Sequence, residues 1–312
     1  MDVPNDDRIA PVPLDEPARS EPAGTGAERT GAPATGPGGW TAPPALRRWT
    51  WLAILVLGVV AYVIVLRTMV ATQNINFFPS LLLIGAITVP MSVLVFAVEG
   101  GRVPPVHVPL VTFVAIVGGL AGTVTAGILE YSALRRLGTV PMITVGLAEE
   151  SAKLVVPFLV FLVVRPHDPR HGVVLGIASG MGFATLETMG YGFQTLLAAR
   201  SIAAVDSTLL LRGLLSPACH IAWTGMVVAM LWRIPSARRR GRAVLAFVGT
   251  FVAAVLLHAT WDGSTSVAVH LVIATAGVAV LLWFVHVAHR RRPAAPATPT
   301  TFTVPREGYG VA

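Results

Sequence analysis

Seven ionisable side chains stand in stretches that are otherwise almost wholly apolar: Glu149, Glu150 and Lys153, then Glu187, then His220, then His258 with Asp262. Carboxylates and imidazoles take up and return protons near neutral pH, and both ligate divalent metals. Their spacing groups them. Glu149 and Lys153 are four apart, as are Phe183 and Glu187, and His258 and Asp262, so on a helix each pair shares a face. Glu150 is turned about 100° from Glu149 and is placed to meet a neighbouring helix. Such a set can activate a water, stabilise an oxyanion and protonate a leaving amine, which is hydrolysis. Buried acids and histidines are also the parts of a proton relay.

The elements that must position these groups follow from composition. The chain has 312 residues, of which 54% are hydrophobic and 12% charged, and its mean hydropathy is +0.70. Eight apolar segments run over 49–66, 77–98, 106–129, 139–164, 172–199, 213–232, 243–262 and 265–288. Each is near or above the roughly 20 residues a helix needs to cross the hydrocarbon of a bilayer. Lipid offers the backbone no hydrogen-bond partner, so these segments must be helices. The predicted fold is all-α, a polytopic membrane bundle of about eight transmembrane helices. One charge at the bilayer centre costs at least about 2.5 kcal/mol. Several charges together imply partners, a wet cavity and a function.

Charge placement predicts orientation. The net charge is +7, which a nucleic-acid binder could show. Here the arginines lie between apolar segments, where topology and anionic lipid explain them, so no nucleic-acid partner is expected. The richest segments hold Arg47, Arg48, Arg102, Arg165, Arg170, Arg233, Arg238, Arg239, Arg240, Arg242 and the run Arg290, Arg291, Arg292. Those segments alternate with poorer ones, which predicts that both termini are cytoplasmic. With that orientation Glu149, Glu187, His220 and His258 all fall in the outer half of the membrane, within about one helical turn of a common depth. Residues 1–46 read as a disordered cytoplasmic tail, 47–290 as the membrane domain and 291–312 as a second disordered tail. Lys153 is the only lysine. That arginine bias points to a GC-rich bacterial genome and a bacterial cell membrane. Cys219 is the only cysteine, so no intrachain disulfide is possible.

Four motifs then stand in order: EExxK at Glu149, Glu150 and Lys153; FxxxE at Phe183 and Glu187; His220, followed by Ala222-Trp223-Thr224; and HxxxD at His258 and Asp262. This order resembles the PrsW family of intramembrane proteases, related in turn to the CAAX-type membrane proteases. The resemblance covers about 49–288. It implies site roles for Glu149, Glu150, Glu187, His220 and His258, and cleavage of membrane-anchored protein substrates such as anti-sigma factors near the extracytoplasmic side. Stress signalling is the implied setting. Within it, Glu149 is the expected general base, with Lys153 balancing its charge. Glu187, His220 and His258 form a three-ligand set for zinc, if a metal is bound. A metal-free route would instead give the water to Glu149 and Glu187 and the oxyanion to His258. Asp262 would orient His258 in either route.

Two other classes fit parts of the pattern. A proton-coupled transporter would use the same acids and the glycines around Glu187, but the motif-bearing segments show no internal repeat. A non-catalytic scaffold would not need the shared depth. His270 and His286 read as packed or interfacial residues, and Trp223 and Trp261 as packing or belt residues.

Overall fold

The computed structural model describes residues 49–99, 107–138, 140–164 and 168–290. The two terminal tails expected from composition lie outside these residues. Among the described residues the chain is built from nine α-helices without a strand: α1 (Thr50–Thr72), α2 (Phe78–Glu99), α3 (Val108–Leu137), α4 (Met142–Val163), α5 (Pro169–Ala199), α6 (Ile202–Leu215), α7 (Ala222–Arg233), α8 (Arg240–Gly263) and α9 (Val267–Arg290). A 3₁₀ turn, Ile75–Phe77, leads into α2, and a π-helical turn, Pro217–Ile221, joins α6 to α7.

Seven stretches are long and apolar enough to cross a membrane, the turn-linked pair Ile202–Arg233 counting as one. The expected eighth is α4. It has 22 residues, but Glu149, Glu150 and Lys153 set its composition apart. The sixth expected segment began at 213, whereas the helix begins at Ile202. Asp206 and Arg212 lie in the added stretch, and both are accommodated by partners. Tyr62 of α1 donates a hydrogen bond to Asp206 Oδ1 at 2.7 Å, and Arg212 pairs with Glu187.

Helix ends are set locally. The Asp168 side chain accepts from the Arg170 N–H at 2.9 Å and Pro169 opens α5, where a missing N–H costs nothing. Ser201 accepts from the Ala204 N–H at the start of α6. Gly138 closes α3 in the left-handed region, with φ 69°. Residues 264–266 turn the chain between α8 and α9.

The outside of the bundle is apolar. Leu57, Ile116, Leu197, Leu245 and Val272 are all exposed, which suits a protein whose solvent is lipid. The centre is α5, 83% of whose most apolar stretch is buried, against 11% for α1. It packs on α2, α3, α4, α6 and α7. Close approach depends on glycine at two places that matter for the site. A Cβ on Gly180 of α5 would lie 2.7 Å from the His220 carbonyl oxygen. One on Gly146 of α4 would lie 2.7 Å from the Val255 carbonyl oxygen and 3.4 Å from His258 Cβ. The glycine run before Glu187 therefore serves helix packing, the first of the two uses its sequence suggested.

A proline ties α4 to α5. Pro157 lies inside α4 and has no N–H for the carbonyl of Lys153, four residues earlier. The hydroxyl of Ser179, on α5, donates to that carbonyl at 2.8 Å. Ser179 is wholly buried, and its bond satisfies an acceptor that lipid could not.

Candidate active site

The motif residues come from four elements. α4 supplies Glu149, Glu150 and Lys153 on its buried face. The π turn supplies His220, and α8 supplies His258 and Asp262. α5 supplies Phe183 and Glu187. The π turn follows from Pro217, which interrupts the helical N–H ladder. Ile221 N–H reaches back to the Ser216 carbonyl at 3.2 Å, and the widened turn directs His220 between α5 and α8.

Lys153 is the hub. It is 0% exposed, and its Nζ lies 3.1 Å from Glu149 Oε2, 2.8 Å from Glu150 Oε1 and 2.8 Å from His220 Nδ1. Its Nζ stands 4.2 Å from the centre of the Phe183 ring, so the FxxxE phenylalanine forms a wall of the site. His258 is surrounded by carboxylates. Its Nδ1 is 2.8 Å from Glu150 Oε1, and its Nε2 is 3.4 Å from Glu149 Oε2 and 3.2 Å from Asp262 Oδ2. Asp262 thus contacts His258, as the i, i+4 spacing anticipates.

Glu187 occupies a different position from that of a third ligand. Its Oε1 pairs with Arg212 at 2.8 Å and its Oε2 lies 3.0 Å from His220 Nε2. That second contact is a hydrogen bond when Nε2 carries the proton. Nδ1 is then the accepting nitrogen, facing Lys153 and Glu149. The donors that converge are Glu149, His220 and His258, each with a ligand atom within 4.8 Å of the other two. One carboxylate and two imidazoles are a donor set that suits a divalent transition metal in kind and number. Glu187 contacts His220 at the ring nitrogen opposite the one that faces Lys153.

Arg212, Trp223 and His270 also shape the site. Arg212 anchors Glu187 and stacks on Tyr191, 3.8 Å from the ring centroid. Trp223 is wholly buried, with its ring 6.1 Å from that of His220 and 5.4 Å from that of His258. Its indole N–H has no partner among the described residues. His270 bonds to the Trp261 carbonyl at 2.9 Å. Spacing could have flagged Trp223, which stands three residues after His220 and so on the same helix face. No local signal identifies Arg212.

A cleft of ≈ 400 Å³ reaches the cluster between α5, α6, α8 and α9. Thr188, Arg212, His220, Trp261, His270 and Leu271 are among its lining residues. The cluster lies towards the end of the bundle where α4 begins and α8 ends. At that end Gly263 faces Met142, and a Cβ on Gly263 would lie 3.5 Å from Met142 Cγ.

Long apolar helices enclosing a buried carboxylate and imidazole cluster suit the class of intramembrane metalloenzyme. The family model of the PrsW family intramembrane metalloprotease matches residues 106–289, more than half the chain. The protein belongs to the PrsW family and is a peptidase of the metalloprotease type. No curated protein and no solved structure matches it.

Proposed function

We propose that Glu149, His220 and His258 form the catalytic centre of this peptidase and hold a zinc ion. The observation that carries the proposal is the convergence of one carboxylate and two imidazoles, from α4, the π turn and α8, within 4.8 Å. When bound, the ion supplies Lewis acidity, easing negative charge onto a carbonyl or a hydroxide. The ion-pair contacts of Glu149 fall on Oε2. Its other oxygen is left to take a proton from water and return it to the leaving amine. Glu150 holds His258 through Nδ1, and Glu187 holds His220 through Nε2. Metal-binding histidines use such partners to fix tautomer and ring direction. In this reading Glu187 positions His220, and Phe183, Lys153 and Asp262 support the centre.

The substrate we infer is a membrane-anchored protein whose extended segment enters the cleft beside His220, an anti-sigma factor being the type the family resemblance suggests. Arginine placement supports an orientation with both termini in the cytoplasm, and a bacterial cell membrane is the setting the arginine bias suggests. The site then faces the extracytoplasmic half of the membrane, and regulated proteolysis in stress signalling fits that setting. The deciding experiment compares wild type with Glu149→Ala on a membrane-anchored reporter. The variant should accumulate normally and lose cleavage, by about 100-fold or more. Undiminished cleavage would remove Glu149 from the chemistry.

A further inference from the structure

Lys153 has no assigned step in hydrolysis, yet its ammonium lies among the metal donors. It is 3.1 Å from Glu149 Oε2 and 2.8 Å from His220 Nδ1, and both residues belong to the convergent donor set. A zinc ion sits about 2.0–2.2 Å from such oxygens and nitrogens. An ammonium donating to His220 Nδ1 engages the lone pair that the ion requires. Two cations sharing one carboxylate oxygen away from water also repel strongly. The ammonium has two further partners in the same pocket that are not in the donor set. Glu150 Oε1 is 2.8 Å away, and the Phe183 ring centre is 4.2 Å from Nζ, a contact that strengthens as water is excluded.

We propose that Lys153 is a built-in competitor for the metal. Its ammonium contends with a divalent ion for Glu149 and His220, and metal binding displaces it from these two while it keeps Glu150 and the face of Phe183. The proposal rests on the metal site inferred above and deepens it, because it makes Lys153 the residue that sets how tightly the metal is held. It also gives Glu150 a second task, that of retaining the displaced cation while it holds His258.

The chain's single lysine makes the test direct. Full-length protein carrying only lysine-free tags, grown with lysine labelled at Cε and Nζ, presents one ammonium signal by nuclear magnetic resonance in detergent micelles. The spectrum is recorded with a chelator and then with zinc chloride at one ion per chain. The signal should move on zinc addition, and Glu149→Gln should abolish both zinc uptake and the movement. Lys153→Met should bind zinc at least tenfold more tightly than wild type in competition with a chromophoric chelator. Zinc uptake through Glu149 with an unmoved signal overturns the competition while leaving the metal site in place. So does a Lys153→Met affinity equal to or below that of wild type. If that variant does not fold, the wild-type spectrum decides. Failure of both wild type and variant to take up zinc overturns the zinc site itself, and the competition with it.

Discussion

Glu150 and His258, 108 positions apart in the chain, meet with Oε1 and Nδ1 at 2.8 Å. Both are buried, and the contact joins α4 to α8 at the level of the donor set. A carboxylate on Nδ1 keeps the proton there and leaves Nε2 facing Glu149 and Asp262. Glu150→Gln should weaken zinc binding by about 10–100-fold, the usual effect of losing such a partner. Chelator competition on purified protein measures it, and unchanged affinity would show that Glu150 does not position His258.

Arg212, Glu187 and His220 form a chain of contacts of 2.8 and 3.0 Å. Arg212→Met leaves the Glu187 carboxylate short of a partner in a largely buried position. Stability should fall by about 1–3 kcal/mol, read as a lower midpoint of thermal unfolding in detergent. Adding Glu187→Gln should restore part of the loss, because the uncompensated charge is gone. A double variant less stable than Arg212→Met would contradict this account of the pair.

The Ser179 bond to the Lys153 carbonyl matters because Pro157 removes the helical donor. Ser179→Ala should cost about 1–3 kcal/mol in the natural background. In a Pro157→Ala background the restored backbone N–H can serve the carbonyl, and the same change should cost less. A thermodynamic cycle of the four proteins measures the coupling. Equal costs in both backgrounds would refute the link.

Gly180 fills the space where α5 meets the π turn, with its missing Cβ only 2.7 Å from the His220 carbonyl oxygen. Gly180→Leu should force the turn away, destabilise by about 1–3 kcal/mol or more, and displace His220. Loss of zinc binding alongside the lowered unfolding midpoint is the expected result. Gly190→Leu is the control, since no atom lies within 4 Å of a Cβ there.

The amino-acid sequence by itself determined that this chain is a bundle of membrane helices carrying Glu149, Glu150, Glu187, His220 and His258 in its interior. The reason is local: an apolar run of that length has one hydrogen-bonded solution in lipid, and a charge within it needs a partner. Most segment limits were legible to within about a turn, but α1 and α3 run on past the expected ends to Thr72 and Leu137, and α6 fell between expected segments, where Tyr62 and Glu187 satisfy Asp206 and Arg212. The tertiary structure decided which carboxylate lies near both histidines at once. It gathered Glu149 with both histidines, set Glu187 between His220 and Arg212, and brought Trp223 and Phe183 against the histidines and the lysine. Those outcomes depend on how far each helix is rotated about its own axis. Contacts between distant backbones, such as Gly146 with Val255 and Gly180 with His220, set that rotation, and no window of sequence contains them.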